Sequence, residues 1–95
     1  MQGMRWGLGI IVLMLAACAT SPPVQEMAAA RSAISMARSI PDGGPKSAAS
    51  LKSAEQALEE AARSIDEERY ERARHLAVEA KHKAQRAAKL KQKGQ

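Results

Sequence analysis

The stretch Ser64-Ile65-Asp66-Glu67-Glu68, with Tyr70 just beyond it, decides the fold, because an apolar rhythm breaks there and then resumes. Upstream, Leu51, Ala54, Leu58, Ala61 and Ile65 recur at 3-4-3-4 spacing, with Lys52, Glu55, Glu59 and Arg63 between them. Downstream, Tyr70, Ala73, Ala77, Ala80, Ala84 and Ala87 keep the same rhythm. Such spacing lines one face of an α-helix. Two arrangements accommodate the break: an antiparallel hairpin, or one unbroken helix from Ser47 to Lys91, since no Gly or Pro separates the halves. A lone long helix leaves its thin apolar seam unburied, which favours the hairpin. In the hairpin Asp66 is expected to accept hydrogen bonds from the free N–H groups of the last helix. Glu67 and Glu68, in its first turn, would then suit the positive end of the helix dipole.

A further helix is expected on the N-terminal side. Met27, Ala30, Ile34 and Ala37 fall on one stripe, and Arg31, Ser35 and Arg38 fall outside it. Pro22 or Pro23 suits the first turn, where a missing N–H costs nothing, and Ser21 suits a cap. Ile40 precedes Pro41, and Asp42-Gly43-Gly44-Pro45 is dense turn chemistry, so this helix must stop there. Pro45 or Ser47 starts the next one. The expected fold is all-α: an N-terminal helix plus an alanine-rich antiparallel helical hairpin, with helices over about 23–39, 46–65 and 67–91.

Alanine has the highest helix propensity but buries little surface. Seams built from it let helices approach closely, with Leu51, Leu58, Ile65, Tyr70 and Leu76 expected to fill the remaining gaps and the N-terminal helix packed on or loosely associated. Burying one Leu or Ile contributes about 1.5–3 kcal/mol, and each alanine methyl well under half of that. Modest stability follows.

The N-terminal segment carries an address. One positive charge, Arg5, precedes an apolar core from Trp6 to Leu15, and Leu15-Ala16-Ala17 leads directly into Cys18, the one cysteine of the chain. This is the three-part layout of an export signal. The apolar run from Trp6 to Ala17 is shorter than the roughly 20 residues that a membrane-crossing helix needs. Leu-Ala-Ala-Cys resembles the lipobox of bacterial lipoproteins. The resemblance implies a signal peptide over 1–17, a lipidated Cys18 with a tether over 18–23, and a helical domain over 24–92. Lipidation also accounts for a lone thiol in an exported chain, where cysteines usually pair. Ala19 stands where enteric lipoproteins kept in the inner membrane have Asp, so outer-membrane residence facing the periplasm is favoured.

Removal of 1–17 leaves 78 residues, enough for one small domain. Within it Pro22-Pro23, Glu26-Met27-Ala28, Ala30-Arg31-Ser32-Ala33-Ile34 and Ala37-Arg38 are followed by Ala54, Ala57-Leu58 and Ala61, then by Tyr70-Glu71, Ala73-Arg74, Leu76-Ala77 and Glu79-Ala80. This pattern resembles the bacterial envelope lipoprotein family known as domain of unknown function 4398, in which a Tyr opens the last helix. The likeness implies a helical envelope lipoprotein and brings no activity with it. Where that family has a further apolar stretch before the second helix, this chain has Ile40-Pro41-Asp42-Gly43-Gly44-Pro45. The hairpin is also faintly similar to one tetratricopeptide unit, but repeat arrays need three or more units to bury a continuous core.

Candidate chemistry is sparse. The sole cysteine is consumed by lipid, and no Ser-His-acid set lies on elements expected to converge, so no catalytic residue and no enzyme activity are expected. Glu71, His75, Glu79 and His82 share a helix face, but a di-metal bundle needs two Glu-x-x-His elements plus facing carboxylates, and one is present. Neither a metal nor another cofactor is expected. The most distinctive set is Lys81, Lys83, Arg86, Lys89, Lys91 and Lys93, with no acid after Glu79. Cations at a helix C-terminus complement its dipole, and the same residues are candidate contacts for anionic lipid or cell-wall polymer. Nucleic acid is a poor partner, since no aromatic platform is available for base stacking. The expectation is a lipid-anchored, non-enzymatic structural or protein-interaction module in the periplasm. The alternative is a binding module for cell-wall polymer or anionic lipid. Heptad-like spacing also leaves self-association open.

Overall fold

The computed structural model describes residues 21–41 and 44–93. The expected signal segment and Cys18 lie outside the described residues, as do Ala19 and Thr20 of the expected tether. Three helices lie among the described residues: α1 (Val24–Ser39), α2 (Pro45–Asp66) and α3 (Tyr70–Lys93). They pack compactly, so the chain forms a hairpin with a third helix laid on it.

Helix α1 starts on Pro23, whose carbonyl accepts from Met27 N–H at 3.0 Å; the N-cap position is Pro23 and not Ser21. Glu26 in the first turn and Arg38 in the last complement the helix dipole. The helix ends where Ile40 turns extended, as the residue before a proline must. Gly44 then takes φ +90, a left-handed conformation that glycine adopts without steric cost, and Pro45 opens α2.

The turn between α2 and α3 differs from the sequence expectation. Asp66 is the last residue of α2 and caps nothing; Glu67 and Glu68 form the turn, and α3 begins at Tyr70 instead of 67. Glu68 adopts φ +60. Its N–H donates to Ile65 O at 2.9 Å, and Arg69 N–H donates to Ser64 O at 2.8 Å. These paired bonds make a Schellman motif, which satisfies carbonyls that a helix C-terminus otherwise leaves unpaired. The backbone thus reverses without glycine or proline. A glutamate holds the left-handed position.

Contacts fix the topology. Met27, Ala61 and Ala77 form one layer of the core, Ala30, Ala57 and Ala80 the next, and Ile34, Ala54 and Ala84 the third. Numbers rise together in α1 and α3 and fall in α2, so the helices run up, down and up, with α1 parallel to α3. Each layer holds two or three alanines, so the backbones lie close together.

That closeness sorts the expected seam: Ala54 and Ala61 are buried as expected, and the larger residues pack against the core from its edge. In α2 the buried positions are Ser47, Ala54, Ala57, Ala61 and Ser64, while Leu51, Leu58 and Ile65 are half-buried on the flank. Tyr70 and Leu76 of α3 are half-buried too. The small residues take the axis because only they permit the short helix separation, and the larger ones lean over the groove edges. The largest apolar side chains wholly inside the core are Met27 and Ile34 of α1, each 3% exposed. Helix α1 is therefore integral to the core.

Candidate functional site

The six cations expected to act as one patch are divided by the fold. Lys91 is buried, at 8% exposure, and its ammonium donates to Ala37 O at 2.8 Å and Ile40 O at 3.1 Å. It caps the C-terminal end of α1, where helix carbonyls lack partners and the dipole favours a cation. Lys91 is thus unavailable to an anionic surface, which corrects the sequence expectation for that residue. Lys83 is half-buried beside α2 and pairs with Glu79 at 3.2 Å, one turn away. Lys81 is half-buried on the opposite flank of α3, facing α1.

Arg86, Lys89 and Lys93 remain. All three are exposed and share the outward face of α3 with His82, at 4-3-4 spacing. No carboxylate among the described residues lies within ion-pair distance of any of them. Lys46 and Lys52 of α2 are exposed at the same end of the bundle, because Ser47 Oγ donates to Ala87 O at 3.1 Å and so fixes the register there. Sequence reasoning did not join these two lysines to the basic set; the antiparallel hairpin brings them together.

Between α1 and α3 runs a shallow groove of about 290 Å³, floored by Ala29, Ala33 and Ala88 and edged by Met36, Lys81 and Gln85. A second hollow of about 180 Å³ continues it toward Val78. Met36 is 64% exposed. Ion pairs hold the flanks: Arg74 reaches Glu26 of α1 at 3.3 Å and Glu71 at 2.6 Å, and Arg38 Nε donates to Glu55 of α2 at 3.0 Å.

Three serine hydroxyls donate to helix carbonyls, two of them across from α2 to α3. Ser47 donates to Ala87 O, Ser50 to Lys83 O at 2.9 Å, and Ser64 to Glu60 O at 2.9 Å. Ser47 and Ser64 are buried. Both His75 and His82 are exposed. Among the described residues no group of three His, Cys, Asp or Glu side chains is placed to hold a metal ion. No helix among them is long and apolar enough to cross a membrane.

No curated protein and no solved structure matches this chain. A family profile does match, over residues 25–95, which takes in all three helices except the first residue of α1. The tight alanine core and the hairpin that closes it therefore belong to the matched region, and the chain is a member of the family described as Domain of unknown function (DUF4398).

Proposed function

We propose that the protein is a lipid-anchored component of the bacterial cell envelope, held by Cys18 at the periplasmic face of the outer membrane. Its three-helix bundle serves there as a non-enzymatic structural or interaction module. The observation that carries this reading is Leu15-Ala16-Ala17-Cys18 at the end of an apolar run, with five residues between the cysteine and the start of α1. Acylation gives the mature chain more than one buried hydrocarbon chain, which suffices for stable anchoring. A non-enzymatic role is supported by how the polar groups are used. Three serine hydroxyls donate to helix carbonyls, Lys91 caps α1, and Glu26, Glu55 and Glu79 are engaged in ion pairs.

The test is metabolic labelling with a fatty-acid analogue, followed by membrane fractionation of the wild-type chain and the Cys18→Ala variant. The reading expects label and membrane association in the first and loss of both in the second. Equal label in the two, or an unlabelled wild-type chain, would contradict it.

A further inference from the structure

Two facts about the bundle combine. Helix α1 is parallel to α3: Glu26 pairs with Arg74 near their beginnings, and Lys91 meets Ala37 and Ile40 near their ends. The chain therefore enters the bundle at the end that holds the α2–α3 turn, and the last turn of α3 is at the opposite end. From Arg74 to Lys93 the helix rises about 28 Å. Pro23 is buried in the bundle, so the tether has little length with which to bring the far end back to its attachment point.

Charge is polarised along the same axis. The turn end exposes Asp66, Glu67, Glu68 and Glu71; of its exposed arginines Arg69 lies 3.6 Å from Glu67 and Arg72 3.9 Å from Glu60, while Arg63 has no carboxylate within ion-pair distance among the described residues. The far end exposes Lys46, Lys52, Arg86, Lys89 and Lys93, none with a carboxylate within ion-pair distance among the described residues. The helix dipole accounts for cations at the end of α3. It does not account for Lys46, which sits in the first turn of α2, where a positive charge is unfavourable and the turn itself holds no acidic residue. Lys46 thus adds to the basic end against the local helix preference.

We propose that this far end is a docking surface for a carboxylate-bearing cell-wall polymer lying beyond the anchoring membrane. The direction of the contact rests on the reading of Cys18 as the anchor; the contact itself rests on the charge distribution. Headgroups of the anchoring leaflet are the competing anionic surface. In an upright bundle they face the acidic turn end, and the cations stand roughly 28 Å farther along the axis, beyond the screening length. A polymer on the far side meets the unpaired cations directly. Binding of this kind weakens with salt, because exposed charges are screened beyond about 8 Å at physiological ionic strength.

The experiment uses the full chain purified in mild detergent, sedimented with isolated cell-wall sacculi and, in parallel, floated with vesicles containing anionic phospholipid. Two triple variants carry equal charge changes at opposite ends. One is Arg86→Gln with Lys89→Gln and Lys93→Gln; the other is Arg63→Gln with Arg69→Gln and Arg72→Gln. The expected result is sacculus binding that falls with salt, drops about tenfold or more in the far-end variant, and changes less than about twofold in the turn-end variant. Circular dichroism of both variants checks that the helices persist. Absence of wild-type sacculus binding, equal losses in the two variants, or binding to vesicles alone would overturn the proposal. Fatty-acid labelling of Cys18 is read separately. An unlabelled chain that still binds sacculi removes the anchor and leaves the polymer contact standing.

Discussion

The two ends of this bundle face the same problem, unpaired carbonyls at a helix C-terminus, and resolve it differently. At the turn end α2 closes on its own continuation, with Glu68 and Arg69 donating backbone N–H groups to Ile65 and Ser64. At the far end α1 closes on a side chain from another helix, the ammonium of Lys91. The local solution costs backbone strain, because a residue with a Cβ in the left-handed region is disfavoured by about 1–2 kcal/mol. The distant one costs desolvation of a charge, offset by two short hydrogen bonds to carbonyls at the negative end of a helix dipole. A local device specifies only the turn. Lys91 instead specifies where α1 lies, since its partners are 54 and 51 residues away in sequence.

Breaking the far-end device has the larger expected effect. Lys91→Ala removes both bonds and leaves the Ala37 carbonyl buried without its donor, so the bundle should lose about 1.5–3 kcal/mol. Thermal unfolding of the variant checks this, and hydrogen exchange should show the last turn of α1 losing protection before the hairpin does. A change confined to a few tenths of a kcal/mol would mean that Lys91 is a surface residue after all. The turn end predicts the opposite sign. Glu68→Gly relieves the left-handed strain and should stabilise by about 0.5–1 kcal/mol, the gain being reduced by the extra freedom of glycine in the unfolded chain. Destabilisation by Glu68→Gly in the same melt would show that the glutamate side chain contributes more than its backbone costs.

The same contrast explains what could be read from the sequence. Helix α1, with its stripe of Met27, Ala30, Ile34 and Ala37, was legible because an apolar period and a proline boundary are local signals. The buried face of α3 from Ala73 to Ala87 was legible for the same reason. The α2–α3 turn was located but its geometry was missed: a Schellman motif with Glu in place of Gly has no composition signal, so Asp66 read as a cap. In α2 Leu51, Ala54, Leu58, Ala61 and Ile65 read as the seam; Ala54 and Ala61 are buried there, whereas close packing gives Ala57 and Ser64 the remaining inner places and leaves Leu58 and Ile65 half-buried against the edge. Lys91 was misplaced because charge alone suggests solvent, and only the parallel placement of α1 shows a carbonyl pair waiting for it. The basic far end was half legible. Its α3 residues formed a visible run, while Lys46 and Lys52 join them only through the fold.

In the proposed arrangement the bundle is anchored at its acidic turn end and presents its basic far end to the cell wall. The most direct test of that arrangement is photocrosslinking in intact cells, with a photoreactive amino acid placed in turn at position 89, on the far end, and at position 67, in the turn. Crosslinked cell-wall material is then quantified after solubilising the membranes. The account predicts recovery from position 89 and little from position 67. Equal recovery from both, or a preference for position 67, would contradict it.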